Sequence, residues 1–155
     1  VGRKFLAALR AVSDKPIRYV INTHMHPDHV FGNAPFVSEG TAFVAHQKMP
    51  RALASRQERY LAINKQNLGD TAFEGTTIVM PALTVTNRLE LDLGERKLLL
   101  ETQKTAHTDN DMTVRDGTTN TLFLGDLCAL RGSNKRLHPG RVACLMGRDP
   151  SLCSG

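Results

Sequence analysis

Four side chains able to ligate a cation, His24, His26, Asp28 and His29, fall within six residues, separated by two residues from a short stretch of strand composition at 17–21. Three imidazoles crowded beside a carboxylate repel one another when protonated, whereas a divalent cation accepts their neutral lone pairs together. The β-branched and aromatic residues of 17–21 predict a strand. Pro27 cannot donate to a ladder and pushes Met25 and His26 toward an extended, loop-like backbone. The chain is thereby expected to gather its polar groups at a strand end. His24 and His26 lie before the proline, while Asp28 and His29 take a different direction beyond it. That spacing accommodates two adjacent metal subsites.

The remaining text supplies elements to build around this segment. Phe5, Leu6, Leu9 and Val12 recur at helical spacing, and Ser13-Asp14-Lys15-Pro16 closes the pattern. Residues 41–45 read as a strand ending at His46, and 47 to about 68 read as the longest helix, with Leu53, Gln57, Tyr60, Ile63 and Asn67 on one stripe. Strands are expected at 76–80 and at 85–86. Residues 89–93 alternate apolar with acidic at period two, and Gly94-Glu95 reverses the chain into a partner strand at 97–101. A second pair, 112–115 and 121–124, flanks the turn residues 116–120. Helices alternating with strands and then a run of strands suit helices outside sheet layers better than a strictly alternating parallel sheet.

The 155 residues are about one domain or part of one, with 41% hydrophobic and 23% charged residues. From Arg131 the text becomes basic and irregular, so the sequence divides into a domain at 1–130 and a segment at 131–155. That segment carries Arg131, Lys135, Arg136, Arg141 and Arg148 against Asp149 alone, hence four of the five net positive charges. Aromatics at 5% with no Trp argue against a stacking platform for nucleic acid. No apolar run approaches the roughly 20 residues of a membrane span. Cys128, Cys144 and Cys153 are odd in number and contain no CxxC pair, which is the pattern of ordinary thiols rather than of a disulfide framework; a Cys144–Cys153 bridge stays open. The first residue is Val, with no signal-like stretch after it, so processing or fragmentation accounts for the start and a cytoplasmic or periplasmic location stays open.

Two further groups complete the constellation. His107 lies in the polar stretch 105–111 between two expected strands, and the apolar strand at 122–124 runs into Gly125-Asp126. With these in place, Thr23-His24-Met25-His26-Pro27-Asp28-His29 resembles the HxHxDH signature of the metallo-β-lactamase superfamily, His107 matching the next family histidine and Asp126 the carboxylate of its Gly-Asp step. The resemblance runs from about Phe5 to Leu127. It implies an α+β fold, the αββα sandwich of that family, incomplete at both ends, because an earlier strand-rich segment and a late histidine loop are missing.

The resemblance also implies roles. His24, His26 and His107 would hold a first metal, Asp28, His29 and Asp126 a second, and Asp126 would bridge them. The cofactor would be one or two Zn ions, with iron as the alternative, and Asp28 would serve catalysis by orienting the attacking water and relaying its proton. His138 follows Asp126 by only 12 residues, too soon for the family's final histidine. His46 reads as a structural histidine, Cys128 as a bystander, and Arg115, Arg131, Lys135, Arg136 and Arg141 as solvated surface.

The function expected is zinc-dependent hydrolysis of an ester, thioester, amide or lactam bond in a small-molecule substrate, without a membrane or nucleic-acid partner. Residues 18–24 and 106–111 further resemble zinc hydrolase-like proteins associated with quinoprotein dehydrogenase systems. The alternatives are a mononuclear iron persulfide dioxygenase, a phosphodiesterase, or a truncated, inactive metal-binding scaffold. Oligomeric state is not legible in the sequence.

Overall fold

The alternation read at 89–93 becomes the inner face of a five-stranded sheet. β1 (Tyr19–Ile21), β2 (Ala42–His46) and β3 (Leu83–Val85) first form a three-stranded parallel sheet in that order. β4 (Arg88–Asp92), β5 (Lys97–Thr102), β6 (Met112–Asp116) and β7 (Thr121–Phe123) then form an antiparallel meander, joined by β8 (Arg141–Ala143) parallel to β7. Leu89 and Leu91 stand opposite Leu100 and Leu98, while Glu90 stands opposite Leu99 on the other face. The computed structural model describes residues 1–129 and 141–143, with 128–129 and 141–143 described by their backbone alone. The other residues of the basic C-terminal segment, with His138, Cys144 and Cys153, lie outside the described residues, as does the side chain of Cys128.

Two cores lie on opposite faces of the small sheet. Val44 and Val85 join Leu91, Leu100, Met112 and Val114 in one buried cluster, so the two sheets pack face to face. Ala45, the next residue of β2, points the other way into a second cluster. There it meets Val30 of α2 (Pro27–Val30) and Met49, Ala52 and Leu53 of α3 (Met49–Ala54). Helix, sheet and sheet are therefore stacked in the order that the sequence resemblance implies. Each fully buried Leu or Val of these layers stabilises the fold by roughly 1.5–3 kcal/mol. The leading helix, α1 (Gly2–Val12), contacts the 3-10 turn at Ala34–Glu39 through the rings of Phe5 and Phe36, and Arg10 pairs with Glu39.

Two expected elements differ. The helix read from 47 to about 68 is split into α3 and α4 (Gln57–Leu68). The Ser55 hydroxyl donates back to the Ala52 carbonyl, and Arg56 leaves helical geometry at φ −126°, ψ −9°. The break separates a buried helix from one without a buried residue, since Met49, Ala52 and Leu53 face the sheet while α4 packs against the short α5 (Asp70–Phe73). The strand read at 76–80 is not formed, and the ladder begins only at Leu83. Ala82 donates to Phe43, but Pro81, next in register, has no N–H to extend the pairing. Ile78 instead packs against the helix-side core.

Candidate metal centre

The site lies where the chain leaves β1. Asn22 still pairs with β2 through its N–H to Val44, and the Thr23 carbonyl accepts the Met112 N–H at 2.8 Å, which ties this loop to the first residue of β6. Pro27 then begins α2, and His26 is held extended just before it at φ −66°, ψ 149°. One helical turn thus carries Asp28 and His29, while His24 and His26 project from the extended side. His107 arrives on the loop between β5 and β6, and Asp126 follows β7 at Gly125. Gly125 has φ +56° and lies so close to Thr23 that a Cβ there would be 2.6 Å from the Thr23 Oγ1.

His24, His26, His107 and Asp126 form one donor group, and Asp28, His29 and Asp126 another. In the first, His26 Nδ1 lies 3.1 Å from His24 Nε2 and 2.9 Å from His107 Nε2. Asp126 Oδ2 lies 3.6 Å from His24 Nε2 and 3.3 Å from His107 Nε2. The other carboxylate oxygen, Oδ1, lies 3.2 Å from His29 Nε2, and Asp28 Oδ2 is 3.3 Å from that same nitrogen. Asp126 accordingly presents one oxygen to each group.

These contacts fit a cation better than they fit hydrogen bonds. An imidazole nitrogen carries either one N–H or one in-plane lone pair, so His26 Nδ1 cannot satisfy two ring nitrogens at once. A tetrahedral ion with ligands at about 2.0–2.1 Å has edges of about 3.3 Å, and the four donor–donor distances scatter around that value. The Thr23 hydroxyl is 3.3 Å from His24 Nδ1 and suits an Nδ1–H tautomer, which leaves Nε2 as the free lone pair. Burial, followed by the neighbouring His29, lowers the His24 pKa to about 4, against the raising effect of Asp126. Burial and then His107 lower that of His26. Both rings are therefore neutral donors at pH 7, the form a metal requires.

All six sequence-derived residues converge here. His46 belongs to neither group; it is buried at the end of β2, and its Nδ1 accepts the Lys48 N–H at 2.9 Å. Arg115 is exposed and donates to Asn120. The residues that sequence reasoning passed over are buried amides and an acid behind the donors. Asn22 and Asn33 bond each other side chain to side chain, and Asn22 also donates to the His29 carbonyl at 3.0 Å. Asn110 and Asp111 brace the loops of the three histidines. The only local signal for the latter was the Thr-x-Asn-Asp turn chemistry at 108–111.

A helix-covered, two-sheet fold with a histidine and carboxylate cluster at its edge defines a metal-binding α/β sandwich. The family model of the metallo-beta-lactamase superfamily matches residues 1–143, and the chain belongs to that superfamily. Among solved structures it is similar to a metallo-beta-lactamase from Pontibacter korlensis, with a TM-score of 0.64 and 16% identity over 85% of this chain and 51% of that one. It is also similar to a double mutant of the sec-alkyl sulfatase PisA1, with a TM-score of 0.59 and 17% identity over 80% of this chain and 24% of that one. At these identities the likeness concerns the fold. A curated relative, the linear primary-alkylsulfatase of Pseudomonas sp. (strain ATCC 19151), is 57% identical over 38 residues, which are 24% of this chain and 7% of that protein. The chain thus spans about half the length of the similar lactamase and a small part of the alkylsulfatase.

Proposed function

We propose that the chain is the metal-holding part of a zinc-dependent hydrolase acting on an ester, thioester, amide or lactam bond of a small molecule. The observation that carries this reading is the division of Asp126 between two donor groups, Oδ2 toward His24 and His107 and Oδ1 toward His29. Zinc held by such donors supplies a Lewis acid for a substrate oxygen and lowers the pKa of water to about 7. The chain's own part is to hold the imidazoles neutral and convergent and to take up a proton. Asp28 suits the second task, because its side chain is 76% exposed with Oδ2 turned to His29 Nε2. The likeness of residues 18–24 and 106–111 to quinoprotein-associated zinc hydrolases supports placement in that branch.

A sulfate ester is the second substrate reading. It is favoured by the 38-residue identity to an alkylsulfatase and by the fold shared with a sec-alkyl sulfatase. Elemental analysis of protein purified from metal-replete cells tests the centre, with one or two Zn per chain expected. A panel of a chromogenic lactam, a thioester, a carboxylic ester and a long primary alkyl sulfate then ranks the substrates. Folded protein that retains no transition metal overturns the reading, and iron in place of zinc moves it to the oxygenase alternative.

A further inference from the structure

A buried carboxylate and a buried carboxamide outside both donor groups sit side by side at 110–111. Asp111, 2% exposed, is enclosed by three donors: the N–H groups of His107 and Thr108 reach its Oδ2 at 2.9 and 2.8 Å, and the Thr108 hydroxyl reaches its Oδ1 at 2.6 Å. Asn110 is fully buried, and its Oδ1 accepts the N–H of Met25 at 3.0 Å, the residue between His24 and His26. Its own N–H donates to the Thr108 hydroxyl oxygen at 3.1 Å, and its Nδ2 to Asp109 at 2.8 Å. One dipeptide therefore grips the backbone of the residue bearing the third imidazole and that of the residue joining the first two.

We propose that Asn110 and Asp111 form a positioning clamp that sets the spacing of His24 and His26 against His107, and with it the cation affinity of the three-histidine face. The inference rests on the reading of that face as a metal centre. Its physical basis is that the two halves of the face come from segments 85 residues apart and are joined here through a side chain. His107 N–H, Thr108 N–H and the Thr108 hydroxyl all point at one carboxylate, so the loop cannot shift without abandoning a desolvated charge. Neither residue touches a cation or substrate in this scheme; they act through His24, His26 and His107.

The test uses the full chain, stripped with chelator and titrated with Co²⁺ while the d–d absorption is followed, with Zn²⁺ competition for affinity. Asp111→Asn keeps the volume but turns one acceptor oxygen into a donor, and Asn110→Ala removes the anchor on Met25. Each is expected to weaken binding about 10–100-fold and to alter the d–d band, as outer-shell losses do, while the metal-free protein keeps its circular dichroism. Thr108→Val removes one of Asp111's three donors and is expected to weaken binding less, with the band altered in the same direction; it carries the test if the other two do not fold. Folded variants with wild-type affinity and an unchanged band overturn the clamp. A wild-type chain that binds neither ion overturns the metal reading beneath it, an outcome visible before any variant is compared.

Discussion

Gly125 and Thr23 touch where the chain leaves β7 and β1, and a Cβ on Gly125 would lie 2.6 Å from Thr23 Oγ1 and 2.8 Å from Thr23 Cβ. The close approach seats Asp126 beside His24, and the backbone there has φ +56°, a conformation that costs an L side chain energy. Gly125→Ala is expected to destabilise the fold by about 1–3 kcal/mol and to lower bound metal, because the strand end must retreat and carry Asp126 with it. Urea unfolding with parallel metal analysis checks both effects.

His24 and His107 approach Asp126 Oδ2 from different segments. His24→Ala or His107→Ala is each expected to cost one equivalent of bound metal, whereas His46→Ala leaves the stoichiometry unchanged. Inductively coupled plasma analysis of the purified variants decides it.

Asp28 is the exposed member of the second donor group. If it accepts the proton in hydrolysis, Asp28→Asn lowers kcat by about 10²–10⁴-fold while the first-group metal stays bound. Steady-state kinetics on the best substrate of the panel, with metal content measured on the same sample, provides the check.

Asp116 sits at the β6–β7 turn, where it accepts the Thr119 hydroxyl and the N–H groups of Thr118 and Thr119, with Arg96 at 3.1 Å. The Thr119 hydroxyl foremost holds its carboxyl below the ordinary value of 3.8. A depressed folded pKa means stabilisation that is present above 3.8 and is lost as pH falls through the lower folded value. Wild type is therefore expected to exceed Asp116→Asn in urea midpoint at about pH 5, with the gap narrowing toward about pH 3.

Leu100 is fully buried between the sheets, opposite Leu89 on one side and Val114 on the other. Leu100→Ala is expected to cost about 2–5 kcal/mol, according to how far the facing Val44 and Val85 can close the gap. Chemical denaturation measures it, and a loss well under that range would place the sheet interface elsewhere.

The parts of this molecule that could be read along the chain are those decided by near neighbours. The β4–β5 hairpin follows from alternation at 89–93 and from Gly94, whose φ of +98° the turn requires. The extended His26 follows from Pro27. The division of the helix expected from 47 to about 68 is not legible locally because its end at Ala54 depends on which residues the sheet buries, nor is the absence of a strand at 76–80, because Pro81 matters only through its register against β2. Asn22 and Asn33, or Asn110 and Met25, show no pairing in the text; each pair exists through a side chain reaching a distant segment.

Ligand chemistry belongs to the chain as written: three imidazoles and a carboxylate on either side of one proline, followed by His107 between two strands and Asp126 just past a third. Residue type sets what each group can donate or accept, and local backbone preference sets where each strand stops. Folding alone turned Asp126 so that its two oxygens serve different partners, and brought His107 within 2.9 Å of His26. Those distances depend on how two sheets stack and on a clamp of buried polar groups behind them, and such long-range register is set by packing, which no local stretch of sequence encodes.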